Sequence, residues 1–389
     1  MALERSLHAK ENRRAGLLRP EESVDYPFLI LVLLLLTVGL AVLYSASYAQ
    51  SEYDTGYTIS TKYLQKQGIC ALIGLAAMYL FSRIPVQVWY RLAWPFYWGS
   101  ILLLLSVLVI GQEVNGAKRW INLAGIQFQP SEIAKFTMIL IFARLTRTFG
   151  PDAKKFRYGV LGFGMALLGI LVPLALEKHL SAFMLMGMVA VVMMFVAGTS
   201  PKWLMAGAAG AVVFVVIYVR FMGYAGDRIT AWLHPELDPG DTGYQILQSL
   251  YAIGSGGLFG RGWGKSRQKY LYLPFQYNDY IFAICCEELG LVGACAIMAL
   301  FAAAIVRGYW IALRARDRFS TVLASGLVTL IALQTILNLG VVTNLLPSTG
   351  IALPFFSYGG TALAVNLGEM GIVLGISRYR NRRKIQEAE

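Results

Sequence analysis

Arg267-Gln-Lys-Tyr-Leu-Tyr-Leu-Pro-Phe-Gln-Tyr-Asn-Asp279 closes a long polar stretch, and the residues that follow, Tyr280 to Ile284, open an apolar run that continues beyond Leu300. A helix needs roughly 20 apolar residues to cross hydrocarbon, so the passage from loop to membrane falls at Asp279. Asp279 is also the only acid between Asp241 and Glu287. A carboxylate stationed where water meets lipid can serve as a base for a substrate that is itself anchored in the bilayer.

Outward from this boundary the same alternation of apolar run and polar connection repeats. The 389 residues are 57% hydrophobic and only 14% charged, which places the chain among multi-spanning membrane proteins. About ten spans are expected, at roughly 26–49, 64–82, 93–111, 131–149, 158–176, 180–199, 203–222, 279–306, 319–345 and 357–377. The expected fold class is an all-α integral membrane protein, a single polytopic domain over 1–389, with one large extracellular loop, 223–278, between the seventh and eighth helices. The net charge of +12 would suggest nucleic acid in a soluble chain. Here the basic residues gather in alternate connections, 5–19, 144–157, 307–318 and 378–384, as the positive-inside rule requires of cytoplasmic segments. No nucleic-acid partner is expected, and the tails 1–25 and 378–389 should both be cytoplasmic. The first apolar run is too long for a cleaved signal and reads as an anchor. Cys285, Cys286 and Cys295 share one apolar run and Cys70 lies in another, which gives neither a disulfide framework nor zinc spacing. They read as buried, inert thiols.

In the large loop, the apolar positions 246, 247, 250 and 253 have helical spacing and predict a short amphipathic helix on the membrane surface. Gly254-Ser-Gly-Gly-Leu-Phe-Gly-Arg-Gly-Trp-Gly264 is too glycine-rich for a stable helix and is either a linker or a backbone pressed against a ligand. The segment 346–356 carries Pro347, Gly350 and Pro354 in an apolar setting; irregular backbone at membrane depth is expected to line a cavity, the alternative being a plain turn.

Candidate site residues fall on this same side. Lys118 and Arg119 stand where the topology rule disfavours cations, which points to an anionic ligand. Pro130-Ser131-Glu132 reads as a helix start, with Glu132 and Lys135 on one face. An ionised side chain within a span is costly, so Lys135 is either neutralised by Glu132 or held for a phosphate. Arg267 and Lys269, with Arg261 and Lys265, form a second cationic group; Glu287 and Glu288, about two turns into the next helix, read as paired structural acids. His179, in the short connection 177–179, reads as a satisfied polar residue. No Walker loop, nucleophile elbow or metal-ligand spacing is present in the sequence.

Asn115-Gly-Ala-Lys-Arg-Trp-Ile121, Gln129-Pro-Ser-Glu-Ile-Ala-Lys135, Gly243-Tyr-Gln-Ile-Leu-Gln-Ser249, Asp279-Tyr-Ile-Phe-Ala283 with Glu287-Glu-Leu-Gly290, and Pro354-Phe-Phe-Ser-Tyr-Gly-Gly360 together resemble the SEDS family (shape, elongation, division, sporulation), in order and over nearly the whole chain from Tyr44-Ser-Ala-Ser47 to Arg378. Ser266 to Pro274 is more similar to its division and sporulation branch. The resemblance implies a peptidoglycan glycosyltransferase that polymerises lipid II at the outer face of the bacterial cytoplasmic membrane. It also implies a partner, a class B penicillin-binding protein, alongside other division or sporulation membrane proteins. The family's essential aspartate falls on Asp279, and Arg119, Glu132 and Lys135 fall on motif positions around a central cavity; Ser357 is a further candidate for holding substrate. A magnesium or manganese ion could accompany the substrate diphosphate. Two departures stand out: Phe275, Tyr277 and Asn278 replace the glutamate, histidine and threonine common before the aspartate, and Lys178-His-Leu-Ser-Ala182 stands where many members have Pro-Asp-Leu-Gly-Thr. A flippase for lipid-linked precursors and a non-catalytic division scaffold are the rival readings.

Overall fold

The computed structural model describes residues 24–379 except 115–116, 124–125, 208, 211–222 and 238–241. Three helices come first: α1 (Tyr26–Asp54), α2 (Lys62–Arg83) and α3 (Val86–Ile110). Three short strands follow, β1 (Gln112–Val114), β2 (Ala117–Leu123) and β3 (Ile126–Phe128), antiparallel in the order β1-β2-β3. Then come α4 (Pro130–Phe149), α5 (Phe163–Leu176) and α6 (Leu180–Val196). The large connection contains α7 (Gly223–Leu233) and α8 (Thr242–Gly256), and the chain closes with α9 (Ile281–Leu313), α10 (Arg318–Val342) and α11 (Gly360–Ser377).

Seven of the described helices are long and apolar enough to cross a membrane. Their side chains divide them into shell and centre: α10 and α11 have 78% and 72% of their most apolar window buried, α2 only 22%. Exposed Leu72, Leu102, Val109 and Val306 face outward, where hydrocarbon would cover them. α4 is buried on nearly every side from Pro130 to Thr146, which lets it carry Glu132 and Lys135 without facing lipid.

One end of the bundle is tied by Asp25. Its carboxylate caps α1 by accepting from Phe28 N at 3.1 Å and takes both forks of Arg307 at 3.0 Å, while its own N–H donates to Ser377 Oγ at 3.1 Å. That end also holds Arg144, which donates to Tyr90 O, and Arg318, which donates to Ala197 O. The sheet, α7, α8 and Asp279 lie at the opposite end.

Several expectations change here. The connection 112–130, expected only as an outer connection, folds into a small three-stranded sheet beside the helical bundle. The third helix begins at Val86 and tolerates Pro95 inside it. The seventh expected span, 203–222, lies largely outside the described residues, as do most of both tails. Cys295 is exposed, not buried. The amphipathic helix turns a narrow face of Gly243, Ile246, Ser249, Ala252 and Gly256 inward, against α9.

The glycine run does press close to something, but to the protein's own helix. α9 breaks at Gly290 (φ 68°, ψ −170°), and the loop fills the break: Arg261 N and Gly262 N donate to Glu287 O and Glu288 O, while Leu291 N and Val292 N donate to Gly257 O and Leu258 O. A Cβ on Gly260 would lie 2.1 Å from Glu288 O, so only glycine permits this approach. The side chains of Glu287 and Glu288 complete the joint. Glu287 accepts from Ser266 Oγ, Arg267 N and Gln268 N; Glu288 pairs with Lys269 at 2.9 Å and accepts from Ser45 Oγ at 2.7 Å. Removing one member of such a buried pair strands the other charge, at a cost of about 3–5 kcal/mol. Lys269→Met is therefore expected to lower the thermal midpoint of the purified protein sharply, and Lys269→Met with Glu288→Gln to recover much of the loss.

Candidate active site

Asp279 occupies the turn that starts α9 and is half-buried. Its backbone is fixed from three directions. Asn338 of α10 donates Nδ2 both to Asp279 O at 2.7 Å and to Ile351 O at 2.8 Å. Ser357 Oγ donates to Asn278 O at 2.7 Å and accepts from Leu353 N at 2.8 Å, and Tyr358 N donates to Tyr277 O at 2.9 Å. Behind them Gln67 of α2, fully buried, donates to Ser357 O and accepts from Gly359 N. The segment 346–359 is thus a strap whose irregular backbone is satisfied by side chains from α2 and α10, as depth in a membrane requires. On the other side of the carboxylate stands Gly350 (φ +69°), where a Cβ would be 3.4 Å from Asp279 Oδ2. Burial pushes the Asp279 carboxyl up to about 6, and the positive charge of Arg228 on α7 only partly opposes it. Arg228 is itself anchored, donating to Ser348 O at 3.1 Å.

A second group of charges gathers between β2, α4, α11 and the α5–α6 connection. Neighbouring residues on a strand point to opposite faces, so Lys118 and Arg119 part company: Lys118 is exposed, whereas Arg119 is half-buried and donates Nη2 to Lys178 O at 2.6 Å. Below it Lys135 is closed on Glu132 at 2.7 Å, both buried. This is the structural pairing that the i,i+3 spacing allowed. Glu177 is pushed up to about 8 by burial, against the pull of Arg119. His179 is pushed down to about 3 by burial, with Arg119 and Lys135 adding to the effect, so it is neutral near pH 7. Its Nδ1, with Glu177 Oε1, Ser131 Oγ and Thr349 Oγ1, has no hydrogen-bond partner among the described residues. His179 is therefore not the satisfied residue expected from its place in a hinge. The two groups meet at the strap, since Ser181 Oγ, two residues past His179, donates to Thr349 O beside Gly350.

Three sequence candidates fall outside this constellation. Lys269 is 3% exposed and spends its ammonium on Glu288, Ser45 Oγ and Gly264 O, so it is not presented to a ligand. Ser357 is a strut whose hydroxyl both donates and accepts inside the protein. Arg267 is exposed and lines an open hollow of about 500 Å³ with Gln268, Tyr270 and Tyr272. Tyr277, standing where a histidine was expected by resemblance, packs its ring on Tyr63 at 4.5 Å and edges Tyr358 at 5.9 Å. Missed altogether was Glu369 of α11, 2% exposed and acted on by the charges of Lys135 and Glu132. The signal was available: Glu369 is the only acid between Asp317 and the C-terminal tail, inside an apolar run.

A bundle of apolar helices with a buried core, polar straps at one end and a half-buried carboxylate beside them defines a multi-pass membrane protein. The chain belongs to the FtsW/RodA/SpoVE family, the SEDS family: a family model described as cell cycle protein matches residues 26–382. A relative from Geobacter metallireducens, named probable peptidoglycan glycosyltransferase FtsW, is 40% identical over 367 residues, covering 92% of this chain and 96% of its own. Stage V sporulation protein E of Bacillus subtilis is 38% identical, covering 92% and 98%. Among solved structures, a chain from a peptidoglycan synthase complex described as coordinating polymerization and crosslinking aligns with a TM-score of 0.77 at 28% identity, covering 92% of this chain and 99% of its own. The rod shape determining protein RodA of Thermus thermophilus aligns with a TM-score of 0.69 at 26% identity, covering 92% and 98%.

Because Asn338 satisfies two carbonyls at once, Asn338→Leu leaves both without their buried donor. It is expected to cost about 1–3 kcal/mol, read as a lower unfolding midpoint in detergent.

Proposed function

We propose that this family member polymerises lipid II into glycan strands, by an inverting transfer in which Asp279 is the general base. Asp279 takes the proton from a sugar hydroxyl of one lipid-linked disaccharide as that oxygen attacks the anomeric carbon of another. The new glycosidic C–O bond forms on the face opposite the departing group, the bond from the anomeric carbon to the polyprenyl diphosphate breaks, and the proton passes from Asp279 to water. An inverting displacement needs one base and no glycosyl-enzyme intermediate. The observation that carries this reading is the placement of the Asp279 carboxylate against Gly350 of the strap, whose neighbour Thr349 accepts from Ser181 just past the α5–α6 connection that Arg119 grips through Lys178 O; burial lifts that carboxyl to about 6. A base so tuned is stronger than an ordinary carboxylate yet still ionised at neutral pH. Arg119 would receive the diphosphate as its charge develops, and Lys135 would join it only by leaving Glu132, on which it is closed here.

Among the described residues no group of three or more His, Cys, Asp or Glu side chains is placed to hold a metal ion. A magnesium or manganese ion enters only as a companion of the substrate diphosphate, and no step is routed through it. The site faces the outside and the termini the cytoplasm, in keeping with the basic clusters. The partner is a class B penicillin-binding protein, which supplies the crosslinking that a polymerase lacks. The relatives named FtsW and stage V sporulation protein E favour a role in division or sporulation.

The test is polymerisation of labelled lipid II by the purified chain, with and without the transpeptidase. Asp279→Asn is expected to fold normally and to lose roughly 10²–10⁴-fold in rate. If instead that variant still made polymer and lost only lipid movement, the protein would be a flippase; unchanged glycan synthesis in Asp279→Ala would make it a scaffold. Since the base acts deprotonated, the wild-type rate is expected to rise with pH through a midpoint of about 6, measured under single-turnover conditions.

A further inference from the structure

At the end of the bundle opposite Asp279, two arginines of α4 converge on one aromatic ring. Arg144 and Arg147, three residues apart and so on one helix face, place their guanidinium carbons 4.6 Å and 4.8 Å from the ring centroid of Tyr90 on α3. The ring is itself fixed, packed edge-on against Phe319 of α10 at 5.4 Å. Arg144 is half-buried and donates Nη1 to Tyr90 O at 2.7 Å, whereas Arg147 is exposed and makes no hydrogen bond or ion pair among the described residues. The face of a ring attracts a cation without neutralising it, so the two guanidiniums still repel each other.

Elsewhere at this end the protein answers such crowding with an acid. Arg307 and Arg314 lie 3.9 Å and 3.8 Å from the ring of Trp310, and there Asp25 pairs with Arg307 at 3.0 Å. The other described acids of this end are also engaged, Asp152 with Lys155 at 2.7 Å and Asp317 with Ser320 N and Oγ at the start of α10. Among the described residues none pairs with Arg144 or Arg147, so their counter-charge comes from outside the chain. The next turns of α3 decide its form. Trp94 and Trp98 follow Tyr90 in steps of four residues on the same face, stacked with centroids 6.5 Å apart and 37% and 59% exposed. An apolar strip therefore runs from the arginines into the span, about 6 Å per step. A charged head with a hydrocarbon tail matches both parts, and a free anion matches only the first. Guanidinium favours an oxyanion that accepts two hydrogen bonds at once, as a phosphate does.

We propose that Tyr90, Arg144 and Arg147 form a binding site for an anionic phospholipid, its phosphate bridging the two guanidiniums and an acyl chain lying along Trp94 and Trp98. Basic pockets between membrane helices hold acidic headgroups in this way. The site is separate from the reaction proposed at Asp279 and does not depend on it.

The experiment is titration of the purified full chain in detergent with dioleoylphosphatidylglycerol, bound lipid being counted by native mass spectrometry, with dioleoylphosphatidylcholine and glycerol phosphate as comparison probes. Wild type is expected to bind the phosphatidylglycerol about tenfold more tightly than the phosphatidylcholine, and glycerol phosphate far more weakly than either. Arg147→Gln, whose side chain holds nothing else in the fold, should weaken phosphatidylglycerol about fivefold with an unchanged unfolding midpoint, and Arg144→Gln with Arg147→Gln should abolish the preference between the two lipids. Trp98→Ala, an exposed position, should also weaken phosphatidylglycerol. Equal affinity of wild type for the two lipids overturns the proposal, as does an Arg147→Gln variant that binds phosphatidylglycerol like wild type, even where the double variant fails to fold. Glycerol phosphate bound as tightly as phosphatidylglycerol makes this a site for a free phosphate and overturns the lipid reading. Binding unchanged in Trp98→Ala overturns the placement of the acyl chain.

Discussion

Charge removed from water must be matched inside the bundle, and the arrangement of nearly every functional element follows from how that is done. Asp25 with Arg307 fastens one end, Glu288 with Lys269 fastens the large loop to α9, and Glu132 with Lys135 sits at the start of the buried helix α4. Each pair joins elements or neighbours that packing alone would leave free to slide. Asp279 is treated differently: burial lifts its proton affinity, and Arg228 only partly offsets the lift. A carboxylate fully neutralised by a close cation would be a weak base, so in the proposed reaction it is the incomplete compensation that leaves Asp279 basic.

The strap 346–359 is the piece through which these charges communicate. It touches α6 through Thr349, the carboxylate of Asp279 through Gly350, α10 through Ile351, and α2 through Ser357 and Gly359. No regular helix could make all of these contacts, because its carbonyls would be spent on itself. The prolines and glycines that make the strap irregular therefore leave its backbone free to hold others. The buried polar residues of α1 and α2 take their meaning from the same joints: Ser45 serves Glu288 and Lys269, and Gln67 serves the strap.

Where the chain departs from its family's usual residues, the local chemistry has been rebuilt. Tyr277 gives a ring stack with Tyr63 and Tyr358, and Asn278 contributes its carbonyl to Ser357, so the turn before the base is held by packing and backbone. At the α5–α6 connection, His179 and Glu177 present polar atoms toward Arg119.

Much of this was legible in the residues alone. Apart from the start of α3 and the end of α9, the apolar runs located the ends of the described membrane-spanning helices to within about five residues, because hydrocarbon thickness imposes a length and the backbone's need for internal hydrogen bonds imposes a helix. Asp279 stood out as an isolated acid at a membrane boundary, and the spacing of Glu132 and Lys135 set them on one face. What only the tertiary structure decided was which charge faces which. Lys269 and Arg267 are two residues apart, yet one is sealed against Glu288 and the other is open to solvent. Lys118 and Arg119 are adjacent, yet strand geometry sends them to opposite faces. Glu369 comes to act on Lys135 across more than half the chain. Length and hydropathy are properties of a segment, written locally; the partner of a buried charge is chosen by helices packing from distant parts of the chain, and no local pattern records that choice.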